Sequence, residues 1–199
     1  MGSPAHAAPC RRPRRSPPRD DRQTRTEEIR VTTVRPEKPE DVPAIRDVIE
    51  RAFGRAAEAD LVDALRGNGK AILSLVAECD GQIAGHIFFT PATIRSSETE
   101  LIGAGLAPLA VIPDRQNQGI GSTLVEEGLK RLREGGYPFV IVLGLPDYYP
   151  RLGFVPASRF NIKSEFDVAD EAFMAMELQE GALRDRAGIA QYQPEFNEF

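Results

Sequence analysis

Leu109-Ala110-Val111-Ile112-Pro113-Asp114-Arg115-Gln116-Asn117-Gln118-Gly119-Ile120-Gly121-Ser122 runs from an apolar strand pattern through a polar turn to glycines that open a helix. The first turn of a helix leaves about four N–H groups without internal partners and carries roughly half a positive charge. An anion therefore settles there readily. Gly119 and Gly121 lack a Cβ, so a bulky diphosphate can approach the main chain. Gln116 and Gln118 are expected to add neutral donors. The helix that follows is marked by Leu124, Val125, Leu129 and Leu132 at helical spacing, with Glu126, Glu127, Lys130, Arg131 and Arg133 on the solvated side. Gly135-Gly136 stops it.

Competing phosphate motifs are absent. No Gly-Lys-Ser/Thr supplies a P-loop lysine, and a dinucleotide-type Gly-x-Gly-x-x-Gly breaks at Leu124, which argues against ATP and NAD. Downstream lie a short buried strand, Val140-Ile141-Val142-Leu143-Gly144, and then Pro146-Asp147-Tyr148-Tyr149-Pro150-Arg151-Leu152-Gly153-Phe154.

On these two stretches the chain resembles the GCN5-related N-acetyltransferases. Gln116-x-x-Gly119-x-Gly121 matches their Gln/Arg-x-x-Gly-x-Gly/Ala signature, and Tyr149-x-x-x-Gly153-Phe154 matches their later Tyr…Gly-Phe element. The likeness runs from about Ile29 to the C-terminus, with two departures. Asn117 stands where a glycine is common, and Leu145 where a polar residue often precedes the proline. The resemblance implies an acetyl-CoA-dependent N-acetyltransferase that uses acetyl-CoA as cosubstrate, needs no metal, and acetylates a primary amine of a small molecule or protein. It implies a donor site made by Leu109, Ala110, Val111, Gln116, Asn117, Gln118, Gly119, Ile120, Gly121 and Ser122. Within it, the backbones of Ala110 and Val111 would pair with pantetheine where their strand splays from Val140 to Leu143, and Gln116 to Ser122 would hold the pyrophosphate. It further implies Tyr149 as the catalytic hydrogen-bond donor or general acid toward the departing thiolate; packing against Phe154 is the purely structural alternative. An acyl-CoA-binding sensor or scaffold without turnover is the second functional reading.

The reaction needs a neutral amine. An alkyl amine of pKa near 10.4 lies about 3.4 units above pH 7, so deprotonation costs roughly 4.6 kcal/mol. Glu78, His86 and Glu100 are the side chains weighed as proton acceptors, with bulk-connected water as the alternative; His86, on an apolar strand, also reads as a hydrogen-bonded core histidine.

Composition fits one domain, because 199 residues with 41% hydrophobic content suffice for a core. Two cysteines, Cys10 and Cys79, make neither a disulfide framework nor a four-ligand zinc site, in keeping with a cytoplasmic setting. No apolar run approaches the roughly 20 residues of a membrane span. Seven arginines and two aspartates give residues 1–25 a charge of +5 and leave −10 on the rest. Residues 1–27 are expected to be a disordered Pro/Arg-rich tail, with residues 28–199 as the acetyltransferase domain. Without interleaved aromatics the tail is not expected to bind nucleic acid. Oligomeric state is left open, a homodimer included. The excess of acid in the domain hints at a cationic acceptor.

Periodicity predicts a strand over Ile29–Arg35, helices over Pro39–Phe53 and Ala56–Leu65, and strands over Ala71–Glu78 and Gln82–Ile94 around an Asp80-Gly81 hairpin turn. Another strand runs from Leu101 into Val111, a late one spans Ala172–Leu178, and Gly181 onward reads as irregular. The fold class is α/β, a mixed and mostly antiparallel sheet flanked by helices, in the order β-α-α-β-β-β-α-β-α-β-β.

Overall fold

The computed structural model describes residues 32–97 and 100–198, so the arginine-rich tail and the start of the predicted first strand lie outside the described residues. Among the described residues nine strands form one sheet. They are β1 (Thr32–Pro36), β2 (Leu73–Cys79), β3 (Gln82–Arg95), β4 (Glu100–Val111), β5 (Phe139–Leu143), β6 (Val155–Pro156), β7 (Ile162–Ser164), β8 (Phe173–Glu177) and β9 (Gly188–Gln191). Three α-helices accompany them: α1 (Val42–Phe53), α2 (Ala57–Gly67) and α3 (Ile120–Glu134).

The sheet order is β1-β2-β3-β4-β5-β8-β6, with β9 pairing both the far end of β3 and β7. Pairing is antiparallel except between β4 and β5 and between β7 and β9. The β2–β3 hairpin closes at Cys79 opposite Gln82. Its turn residues, Asp80 at φ 54° and Gly81 at φ 75°, both take the positive φ of the two-residue turn that an Asp-Gly pair favours.

Alternation along β3 divides the core between two faces of the sheet. Ile87 and Phe89 join Leu124, Val125, Leu129 and Leu132 of α3 on one face. Phe88 joins Ile45, Val48 and Ile49 of α1 and Leu61, Val62 and Leu65 of α2 on the other. Beyond these helices, Ile141 and Ala175 are covered by Leu183, Ala190 and Tyr192 from the C-terminal segment. The helices form where apolar residues recur every three to four positions and end where glycine permits a left-handed residue, as at Gly54 after α1 (φ 71°).

Helix α3 lies close to the sheet because Gly128 faces β3: a Cβ at this position would lie 2.6 Å from the Phe89 ring. Gly128→Val is therefore expected to lower stability by about 1–3 kcal/mol through overpacking, read as a lower urea midpoint at unchanged slope.

The first three predicted helices and β2 to β5 are present, and the late strand is β8. Three parts of the predicted order differ, the first being that four short strands, β6 to β9, follow β5 where two are expected. The helix expected after β5 is a four-residue 3-10 turn, Tyr149–Leu152, bounded by Pro150 near its start and by Gly153 at φ 95° at its end. The C-terminal stretch read as irregular contains β9, four residues that carry too little periodicity to mark a strand and gain their ladder from the edges of β3 and β7.

Candidate functional site

Strands β4 and β5 pair only through Ala104–Val140, Gly105–Ile141 and Leu106–Val142. After Leu106 they part: β5 ends at Leu143, whereas β4 runs on to Val111 held by β3 alone. A cleft of about 740 Å³ opens at this fork. It is lined by Leu109 and Val111 of β4, by Asn117, Gly119, Ile120, Gly121 and Ser122 at the start of α3, and by Tyr148 and Tyr149 after β5.

Backbone direction along the free part of β4 follows from one bond. The Ile112 N–H donates to the Ala84 carbonyl at 3.0 Å, so Ala110, two residues earlier and opposite His86, turns its own polar groups toward β3. Ala110 does not line the cleft, and its side chain packs with α1 and α2. The expectation that Ala110 pairs with a ligand is corrected accordingly: the two-residue period aims Leu109 and Val111 at the fork instead. The Val111 carbonyl already accepts the Gln116 side-chain amide at 3.0 Å.

The turn into α3 is built by its own side chains. Gln116 closes it onto Val111, and Gln118 donates to the Asp114 carbonyl at 3.1 Å. Each amide thus spends one of its two N–H donors on the turn, a structural role beside the donor role expected from sequence. Asn117 sits at φ 60°, a left-handed position that asparagine tolerates best after glycine, which accounts for its presence where glycine is common. Gly119 caps α3 at φ 85°, a conformation costly for any side chain. The first bond of the helix is Thr123 N–H to Gly119 C=O at 3.0 Å, so the N–H groups of Ile120, Gly121 and Ser122 precede the ladder at the positive end of the helix dipole. Since these donors are main-chain, Gln118→Ala is expected to change the acetyl-CoA dissociation constant less than about twofold by calorimetry.

The two tyrosines stack edge to face, with centroids 5.1 Å apart, and Tyr149 meets Phe154 the same way at 5.5 Å. Gly144 makes room for the Tyr149 ring: a Cβ there would lie 2.2 Å from it. Tyr149 is 7% exposed, and burial pushes its hydroxyl above the ordinary phenol range. Tyr149 thus stays protonated at neutral pH while lining the cleft. Burial also raises Tyr148, whose hydroxyl points at Gly121, with the neighbouring Ser122 hydroxyl acting in the opposite direction.

None of the three side chains weighed as proton acceptors lines the cleft. Glu78 is held by Arg35 at 3.1 Å and Glu100 by Arg95 at 3.0 Å. His86 is fully buried, and its Nε2 lies 2.9 Å from the Ser74 hydroxyl and 3.6 Å from Glu37. Burial lowers its pKa despite the neighbouring carboxylate. Burial works to raise the Glu37 carboxyl, but hydrogen bonds from His86, Arg66 and Ser74 prevail and keep it ionised. This cluster ties β1, β2, β3 and α2 together. The carboxylate that does line the cleft is Glu58 of α2, which the sequence presents as one more acid on a solvated helix start. Among the described residues no group of three or more His, Cys, Asp or Glu is placed to hold a metal, and no helix is long and apolar enough to cross a membrane.

Residues 33–157 match the acetyltransferase (GNAT) domain family. The chain is 37% identical over 167 residues to the Escherichia coli K12 N-acetyltransferase YhbS, covering 83% of this chain and 99% of that protein. A crystal structure of E. coli YhbS in complex with CoA superposes with a TM-score of 0.81 at 36% identity, over 87% of this chain and 96% of the other. A GNAT family acetyltransferase from Brucella melitensis in complex with acetyl-CoA superposes with a TM-score of 0.69 at 35% identity, over 84% and 99%. With the forked sheet, the glycine-opened helix and the paired tyrosines already in place, these likenesses make the chain a member of the GNAT family of N-acetyltransferases.

Proposed function

We propose that the chain binds acetyl-CoA in the fork between β4 and β5 and transfers its acetyl group to a primary amine. The observation that carries this reading is the coincidence, in one cleft, of unpaired β4 backbone, unladdered N–H groups at the start of α3, and a protonated tyrosine. Pantetheine, itself a chain of amides, finds ladder partners on Leu109 and Val111. The pyrophosphate takes the N–H groups at the start of α3, where the helix dipole favours negative charge. Relatives crystallised with CoA and with acetyl-CoA support the same choice of ligand.

The amine nitrogen attacks the thioester carbonyl carbon, the C–S bond breaks, and the thiolate leaves. Tyr149 donates a hydrogen bond to the sulfur. A phenol above pKa 10 protonating a thiolate whose thiol has a pKa of about 8.5 is uphill, so stabilising the thiolate matters more than full proton transfer. The amine's proton passes to solvent.

Calorimetric titration with acetyl-CoA, CoA, ATP and NAD tests the donor assignment. Saturable binding of acetyl-CoA and CoA alone is expected; equal binding of ATP or NAD, or none of acetyl-CoA, would overturn it. Acetyl-CoA binding without thiol release for any amine would instead favour a non-catalytic acyl-CoA sensor.

A further inference from the structure

The cleft passes through the sheet, and its two sides differ in chemistry. Leu109, Tyr148 and Tyr149 belong to the face covered by α3, which carries the N–H groups suited to phosphate. Phe53, Glu58 and Leu61 reach the same cleft from the α1–α2 pair on the opposite face. A donor held by α3 leaves this second side to the acceptor.

Glu58 is the only carboxylate lining the cleft among the described residues. Its side chain is 15% exposed, and Arg55 bonds both of its oxygens. A carboxylate has about four lone-pair sites, so one further cation can be accepted. Arg115, paired with Asp80 at 3.2 Å, and Arg151 also line the cleft, so a second or third ammonium would find no carboxylate there to meet it. The remaining surface is apolar. Five large hydrophobic side chains are well exposed among the described residues, and three of them, Phe53 (42%), Leu143 (42%) and Leu145 (70%), line this one cleft. Exposed apolar groups gathered at one mouth mark a binding surface, whereas scattered ones do not. Leu145 is also the residue standing where a polar one often precedes the proline.

We infer that the acceptor is a small primary amine with one nitrogen on an apolar body, of the arylalkyl or alkyl type. It arrives as an ammonium that meets Glu58, gives that proton to solvent and attacks as the neutral amine, while its apolar part lies against Phe53, Leu143 and Leu145. The inference rests on the acetyl-transfer reading above. A polyamine or aminoglycoside would press further ammonium or hydroxyl groups against this wall without partners.

Release of CoA thiol at saturating acetyl-CoA, with 2-phenylethylamine, hexylamine, spermidine, kanamycin, glycinamide and a short peptide as acceptors, tests it. The two apolar amines are expected to show kcat/KM at least tenfold above the rest. Glu58→Gln should raise the KM for phenylethylamine at least tenfold. Leu145→Ser should cut its kcat/KM at least fivefold and narrow the gap to glycinamide, with the calorimetric affinity for acetyl-CoA unchanged in both variants. Preference for spermidine, kanamycin or the peptide, or indifference to both substitutions, would overturn the inference and leave the donor site standing. Acetyl-CoA binding with no amine acetylated would overturn it as well. Failure to bind acetyl-CoA would bring down the underlying reading first, and calorimetry separates that outcome from the others.

Discussion

Gly121→Leu raises the acetyl-CoA dissociation constant by at least tenfold while the far-UV circular dichroism stays that of the parent. This residue lies in the first turn of α3, outside the positive-φ glycines, so the backbone accepts a side chain there without torsional strain. The obstacle is space. A Cβ at Gly121 would lie 2.7 Å from the Tyr148 hydroxyl and 3.7 Å from Leu109. A leucine must push Tyr148 aside, and its remaining carbons then extend into the cleft where the pyrophosphate is to meet the helix N–H groups. Gly119 offers the complementary case. Nothing lies within 4 Å of its missing Cβ, but at φ 85° any side chain strains the turn, so substitution there mixes a conformational cost with a steric one. Normal acetyl-CoA affinity in Gly121→Leu would remove the start of α3 from the donor site.

Tyr149→Phe lowers kcat at least tenfold and leaves the acetyl-CoA dissociation constant within about twofold. The substitution keeps the ring that packs on Phe154 and Gly144, so the fold loses little and the change isolates the hydroxyl. Positioned acids contribute about 10² to 10⁴ in rate. The pH profile supplies a second check. Burial favours the neutral phenol and moves its titration upward, so the donating form persists at every pH below the ordinary phenol value. No descending limb attributable to Tyr149 is therefore expected below about pH 10. Unchanged turnover in the phenylalanine variant, or an alkaline limb near pH 8 that the variant abolishes, would contradict this role.

Much of this architecture is legible in the chain because its signals are local. The Asp80-Gly81 pair fixes a hairpin through two positive φ angles, and the spacing of Leu124, Val125, Leu129 and Leu132 gives α3 its buried stripe. The glycines before that stripe point to an anion site for the same local reason. What sequence does not disclose depends on distant partners. Ala110 and Val111 are alike as residues, and only register against β3 decides which turns its amide toward the fork. Glu58 looks like its acidic neighbours along α2 until the fold carries it to the cleft. Strand β9 has no strong periodicity of its own and exists because β3 and β7 present edges to it.

The fork in the sheet also determines which mutational surveys can detect it. The contacts proposed for the donor are peptide groups and the absence of side chains, and truncation to alanine removes neither. An alanine scan would pass over Ser122 with a small effect, would register Leu109 and Val111 for their packing and not for their amides, and would record the tyrosines and the hydrophobic core. A scan that adds atoms, placing leucine or tryptophan at each position, would outline the donor cleft by its intolerance. Resistance to a donor-site inhibitor would then have few single-substitution routes, because the groups that hold it are shared by every amino acid except proline.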